Sequence, residues 1–88
     1  MLEKTSNIYS DDYIEIMTRL RTARLKSGIT QKELASLLNI NQSLVSKVES
    51  CERRLDIIEF LNWCKVLGVP WDKVIPKKYS MGENTKHE

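Results

Sequence analysis

Glycine and proline are scarce in this sequence, with three and two copies among 88 residues. So few turn formers do not suit a β-sandwich or a low-complexity chain, and point to a compact helical domain. Cysteine is limited to Cys51 and Cys64, which form no CxxC pair, and the single histidine, His87, sits in a polar stretch. That excludes a disulfide framework and a zinc site, and predicts two reduced thiols packed as small apolar groups. No apolar run approaches the ~18 residues of a membrane span, and Met1 to Asn7 contain no apolar signal segment, so a cytoplasmic location is expected. A phosphate-cradling glycine loop, a Ser/His/Asp or Cys/His set and paired carboxylates in an apolar setting are all missing. An enzyme is therefore the poorest fit, and no cofactor or small-molecule ligand is expected.

The formal charge is only +2, but its distribution is uneven. Residues 16–35 hold Arg19, Arg21, Arg24, Lys26 and Lys32 against Glu33 alone, while Glu3, Asp11, Asp12 and Glu15 precede them with Lys4. A basic middle beside an acidic arm suits local contact with a polyanion, although solvated helix faces often look the same.

The pattern predicts five helices between a loose arm, residues 1–10, and a disordered tail, residues 77–88. The first runs from about Asp11 to Ser27, after N-cap candidates Ser10 and Asp11, with an apolar stripe of Tyr13, Ile16/Met17 and Leu20 that continues onto Arg24. Gly28 stops it. Thr30-Gln31-Lys32-Glu33 is a capping box that opens a second helix burying Leu34, Ala35 and Leu38. Asn39 tolerates the left-handed region, and Asn41 caps a third helix, Gln42 to Ser50, with Val45 and Val48 facing inward. Asp56-Ile57-Ile58-Glu59 opens a fourth, expected to bury Ile57, Phe60, Leu61, Cys64 and Leu67 before Gly68. A short fifth helix around Trp71 to Ile75 lies between Pro70 and Pro76.

Residues 31–48 carry the functional signal. If the second and third helices cross steeply over a short turn, Ala35 is the small residue at closest approach. Asn39 supplies the turn, and Val45 and Val48 send short branched side chains into the corner. Gln42, Ser43, Ser46 and Lys47 are then left on the outer face, with Leu44 beside them.

Thr30 to Ala35 together with Asn41 to Glu49 resembles the helix-turn-helix of the phage-repressor (Cro-type, xenobiotic-response-element) family. The likeness runs from about Met17 to Ile75 and includes Leu20, Arg24, Gly28 and Leu67-Gly68-Val69. It implies an all-α, five-helix bundle resembling lambda repressor that binds inverted-repeat operator DNA as a homodimer, the third helix in the major groove. Gln42, Ser43 and Lys47 then occupy base-reading positions: Gln suits adenine, Lys suits guanine, and Leu44 would meet a thymine methyl or a sugar. Phosphate contacts are expected from Gln31, Asn41, Ser46, Arg53 and Arg54. Arg24 and Glu49 would form a structural ion pair of the kind seen in the family. The family often has glycine just after the third helix, where this chain has Cys51. A positive φ there costs about 1 kcal/mol, which leaves open a different turn and a shifted Arg53 and Arg54.

Trp63, Val66, Trp71 and Val74 exceed the apolar surface that the bundle needs. They read either as core closing over the fifth helix or as a dimer seam. The leading expectation is a sequence-specific transcriptional regulator, a dimeric repressor. The competing one is a protein-interaction module, antitoxin-like or an adaptor, that keeps the fold and contacts partners through its ends.

Overall fold

A computed structural model describes residues 10–79. Residues 1–9 of the expected arm, residues 80–88 of the expected tail, and His87 lie outside the described residues. The described chain forms α1 (Asp11–Lys26), α2 (Gln31–Leu38), α3 (Gln42–Glu49), α4 (Ile57–Leu67), α5 (Trp71–Val74) and a 3-10 turn (Lys77–Tyr79). No strand occurs among the described residues.

Each of α1 to α4 begins where a side chain satisfies orphan backbone donors, whereas α5 follows Pro70 without a side-chain cap. Ser10 Oγ accepts from Tyr13 N, and Asn41 Oδ1 accepts from Leu44 N. Thr30 with Glu33 and Asp56 with Glu59 form reciprocal capping boxes. The helices end as locally. Gly28 (φ 73°) and Gly68 (φ 71°) take the left-handed conformation past α1 and α4, and Asn39 (φ 62°) does so past α2. Ile40 N then donates to Ala35 O at 3.0 Å, closing the turn between α2 and α3.

The core forms where α1, α2, α3 and α4 converge. Leu34, Ala35, Val45 and Val48 fill the α2–α3 corner, roofed by Tyr13, Met17 and Leu20 of α1 and by Trp63, Cys64 and Leu67 of α4. Val74 closes it from α5.

The apolar face of α4 differs from expectation. Ile57 is 74% exposed and Leu61 40%, whereas Trp63 is 3% exposed. Successive helical residues are rotated by about 100°, so Leu61 and Trp63 stand roughly 200° apart and cannot share one buried stripe. Trp63 brings more apolar area and takes the core position, which moves the stripe to Phe60, Trp63, Cys64 and Leu67. Of the four residues offered as core or dimer seam, Trp63 and Val74 are therefore core and cannot form a seam. Val66 packs partly against the core, and Trp71 stays half exposed.

The domain also extends past residue 76. Tyr79 Oη donates to Asp12 Oδ2 at 2.6 Å, and Lys78 Nζ lies 3.2 Å from the same oxygen. The 3-10 turn is thereby clasped to the start of α1, and residues 77–79 belong to the folded part rather than to a disordered tail. These two donors hold the Asp12 carboxyl below its ordinary value. Arg19 adds a second tie: Nη1 donates to the carbonyls of Lys73, Val74 and Ile75 at the end of α5, and Nη2 pairs with Glu15.

Cys51 adopts φ 66°, a left-handed conformation that glycine takes most cheaply. Cys51 N donates to Val48 O at 3.0 Å and Glu52 N to Lys47 O at 2.8 Å, terminating α3. Cys51→Gly and Cys51→Ala both remove the thiol, so comparing them isolates the backbone cost. Urea unfolding is expected to place the glycine variant about 1 kcal/mol above the alanine variant.

Candidate nucleic-acid interface

The outer surface of α3 follows from the residues that α3 buries. Val45 and Val48 are drawn into the corner, and helical geometry turns Gln42, Ser43, Ser46 and Lys47 to solvent. All four are exposed. Leu44 is not on this open face: it is half-buried, lining a shallow hollow with Leu38, Ile40 and Trp63. Asn41 Oδ1 is fully used, accepting from Leu44 N at 3.0 Å and from Ser43 Oγ at 2.9 Å. Its amide group remains exposed at the start of α3.

Glu49, on the last turn of α3, fixes the orientation of this surface. Its carboxylate accepts from Arg24 Nε at 2.6 Å and Nη2 at 3.0 Å, both side chains being nearly buried at 7% and 6% exposure. Arg24 Nη1 also donates to Ile29 O at 2.8 Å, and Gln31 Nε2 donates to Glu49 Oε1 at 3.0 Å. The bidentate pair thus joins α1 to α3, and Gln31 adds α2. Arg21 stands at the rim, its Nε 3.9 Å from Glu49 Oε1.

Three residues expected at phosphates have side chains engaged by other residues of the fold. Gln31 is held by Glu49. Arg53 makes a bidentate pair with Glu59 at 3.1 and 3.0 Å and donates to Arg54 O at 2.9 Å. That pairing raises the Arg53 pKa and lowers that of Glu59. Arg54 lies over the Tyr13 ring, 4.8 Å from its centroid, while Tyr13 Oη accepts from Leu55 N at 3.1 Å. Burial raises the Tyr13 pKa above its ordinary value. These contacts brace the segment between α3 and α4. Reading the sequence did not find the Tyr13 and Arg19 anchors, because both reach backbone groups more than 40 residues away.

The order of helices, the tight α2–α3 corner and the polar outer face of α3 can be set against known proteins. The helix-turn-helix family profile matches residues 20–74, well over half of the chain. A solved structure described as an XRE-family like protein from Pseudomonas syringae pv. tomato str. DC3000 is 44% identical, with a TM-score of 0.71. The match covers 81% of this chain and 87% of that one. Among curated proteins, no sequence matches. The chain belongs to the XRE helix-turn-helix family. Its fold is accordingly that of a DNA-binding domain of transcription regulators. No helix described in this XRE domain is long and apolar enough to cross a membrane.

The Arg24–Glu49 pair leads to a stability prediction. Arg24→Met leaves the Glu49 carboxylate nearly buried without its bidentate partner, and Glu49→Leu does the same to Arg24. Each single change is expected to cost about 3 kcal/mol in urea unfolding, because one charge stays desolvated and unpaired. The double variant should be more stable than either single variant, since no charge is then left unpaired, although Ile29 O and Gln31 Nε2 lose their partners. A double variant whose loss equals the sum of the two single losses would show that no such coupling exists.

Proposed function

We propose that this protein is a sequence-specific transcriptional regulator, a repressor that binds an inverted-repeat operator as a homodimer. The observation that carries this reading is the outer face of α3. Gln42, Ser43 and Lys47 are exposed and spaced to meet successive base edges, on a helix locked to α1 and α2 through Glu49. Gln42 would take adenine at two points and Lys47 guanine, while Ser43 is permissive. Half-buried Leu44 would contribute only its free edge to a methyl or sugar. The free N–H groups at the starts of α2 and α3, with the Asn41 amide and the Ser46 hydroxyl, would hold phosphates. Gln31 would act there through its backbone, and Arg54 through whatever reach it has beyond Tyr13; Arg53 is better placed as a brace.

The dimer seam is better sought on α4 than in the tryptophan-rich set read from the sequence. Ile57, Ile58 and Leu61 lie within one turn of one another and are exposed. Together they form the kind of apolar face that a two-fold contact covers. Ile58→Asp is expected to leave the monomer folded, because the side chain is 65% exposed, while shifting sedimentation toward monomer. An unchanged association constant would remove α4 from the seam.

Selection from a random duplex library tests the base-reading assignment directly. The wild type is expected to return a short inverted repeat. Changing Gln42 and Lys47 together to Ala should abolish preference among sequences while leaving weaker, non-specific binding. Preference identical to wild type would sink the assignment. Failure of the wild type to retard any duplex at low salt would favour the competing reading, an interaction module that keeps the fold.

A further inference from the structure

With the Gln31 side chain held by Glu49 and Arg53 by Glu59, Ser46 remains open on the α1 side of α3 among the side chains that the sequence offered for phosphates. Arg21 stands beside it. It lies on α1 one turn before Arg24, and its side chain is 59% exposed. Its nearest acid is Glu49, at 3.9 Å, but that carboxylate already accepts two bonds from Arg24 and one from Gln31. One buried carboxylate thus faces two guanidinium groups. Arg24 neutralises it, and the charge left over belongs to Arg21, at the solvent edge.

The surroundings give that charge a place to act. Arg21, Gln31, Ser46, Glu49 and Ser50 line an open depression of about 250 Å³, whose far wall is α3. The single Ser50 hydroxyl proton is taken up within the fold, with Glu52 Oε2 at 2.8 Å and Lys47 O at 3.2 Å as its acceptors. Ser46 is exposed, and its hydroxyl has no hydrogen bond among the described residues. Glu52 does not line the depression, so the acid within it is Glu49 alone.

We propose that Arg21, together with the Ser46 hydroxyl, forms a binding site for one backbone phosphate of the DNA on the α1 flank of α3. This rests on the DNA-binding reading above and adds a residue to it. The weak attraction of Glu49 holds the Arg21 arm over the depression without cancelling its charge. A guanidinium suits the task, since its planar fork can bond two phosphate oxygens at once. Such a contact positions the protein on the duplex and carries no sequence information.

The test uses the full chain and the duplex recovered by library selection. Affinity is measured by fluorescence anisotropy across a range of salt concentrations for the wild type, Arg21→Gln and Arg21→Lys. Arg21→Gln is expected to bind more weakly, with a slope of log affinity against log salt shallower by about 1. Its ranking of mismatched duplexes should match the wild type. Arg21→Lys should keep the wild-type slope, because the charge is retained. Thermal melting of each variant serves as the fold control, and the exposed position predicts little change. A wild-type slope in Arg21→Gln overturns the assignment of Arg21 while leaving the DNA-binding reading intact. Salt-independent or absent binding by the wild type itself overturns that reading, and this proposal with it.

Discussion

A carboxylate that is nearly removed from water has to be matched in charge and in hydrogen bonds, and at Glu49 this requirement ties three helices together. Its partners come from the end of α1, through Arg24, and the start of α2, through Gln31. Neither partner can move far without leaving charge desolvated. The arrangement therefore does more for geometry than for net stability, because a buried ion pair offsets much of its own desolvation. What it fixes is the angle at which α3 leaves the bundle, and so the direction in which Gln42, Ser43 and Lys47 project.

The apolar corner and the ion pair divide this task between the two ends of α3. At the first end, Asn39 turns left-handed so that Ala35 can approach Val45 with no bulky side chain between the helices. At the second, Cys51 turns left-handed after Val48, and Glu49 is held from above by Arg24. Cys51 carries the conformational cost of lacking glycine. The partial burial of its thiol, which raises its pKa, offsets some of that cost through apolar contact. The turn whose form the sequence left open takes the left-handed conformation at Cys51 that glycine adopts most cheaply. Arg53 and Arg54 were nevertheless diverted, and the reason lies outside the turn, in Glu59 and Tyr13.

That contrast explains what could be read from the sequence. Caps, boxes and left-handed stops were legible because each is decided within about six residues by short side chains with few alternatives. The corner residues were legible for a similar reason, since a steep crossing demands a small residue and two branched ones at fixed spacing. The inner face of α4 was not. Both Ile57-Leu61 and Phe60-Trp63 fit helical periodicity, and only the way α4 packs on α1 and α2 decides in favour of Trp63. The clasp of Tyr79 and Lys78 on Asp12, and the three carbonyls capped by Arg19, join residues more than 50 positions apart. No local pattern announces such contacts.

The same limit applies to charge. Counting cations in residues 16–35 suggested a surface for a polyanion, but the count mixes two populations. Arg24 is nearly buried and spends its guanidinium on Glu49 and the Ile29 carbonyl, and Arg19, though 42% exposed, is held by the Lys73 to Ile75 carbonyls and by Glu15. Arg53, outside that stretch, is spent in the same way. Arg21 carries an identical group, yet its carboxylate is already taken, so its charge remains directed outward. What a basic segment can bind therefore depends less on how many cations it holds than on which acids inside the fold have already claimed them. In this domain Glu49 does that sorting: it takes up Arg24 and leaves Arg21 beside α3.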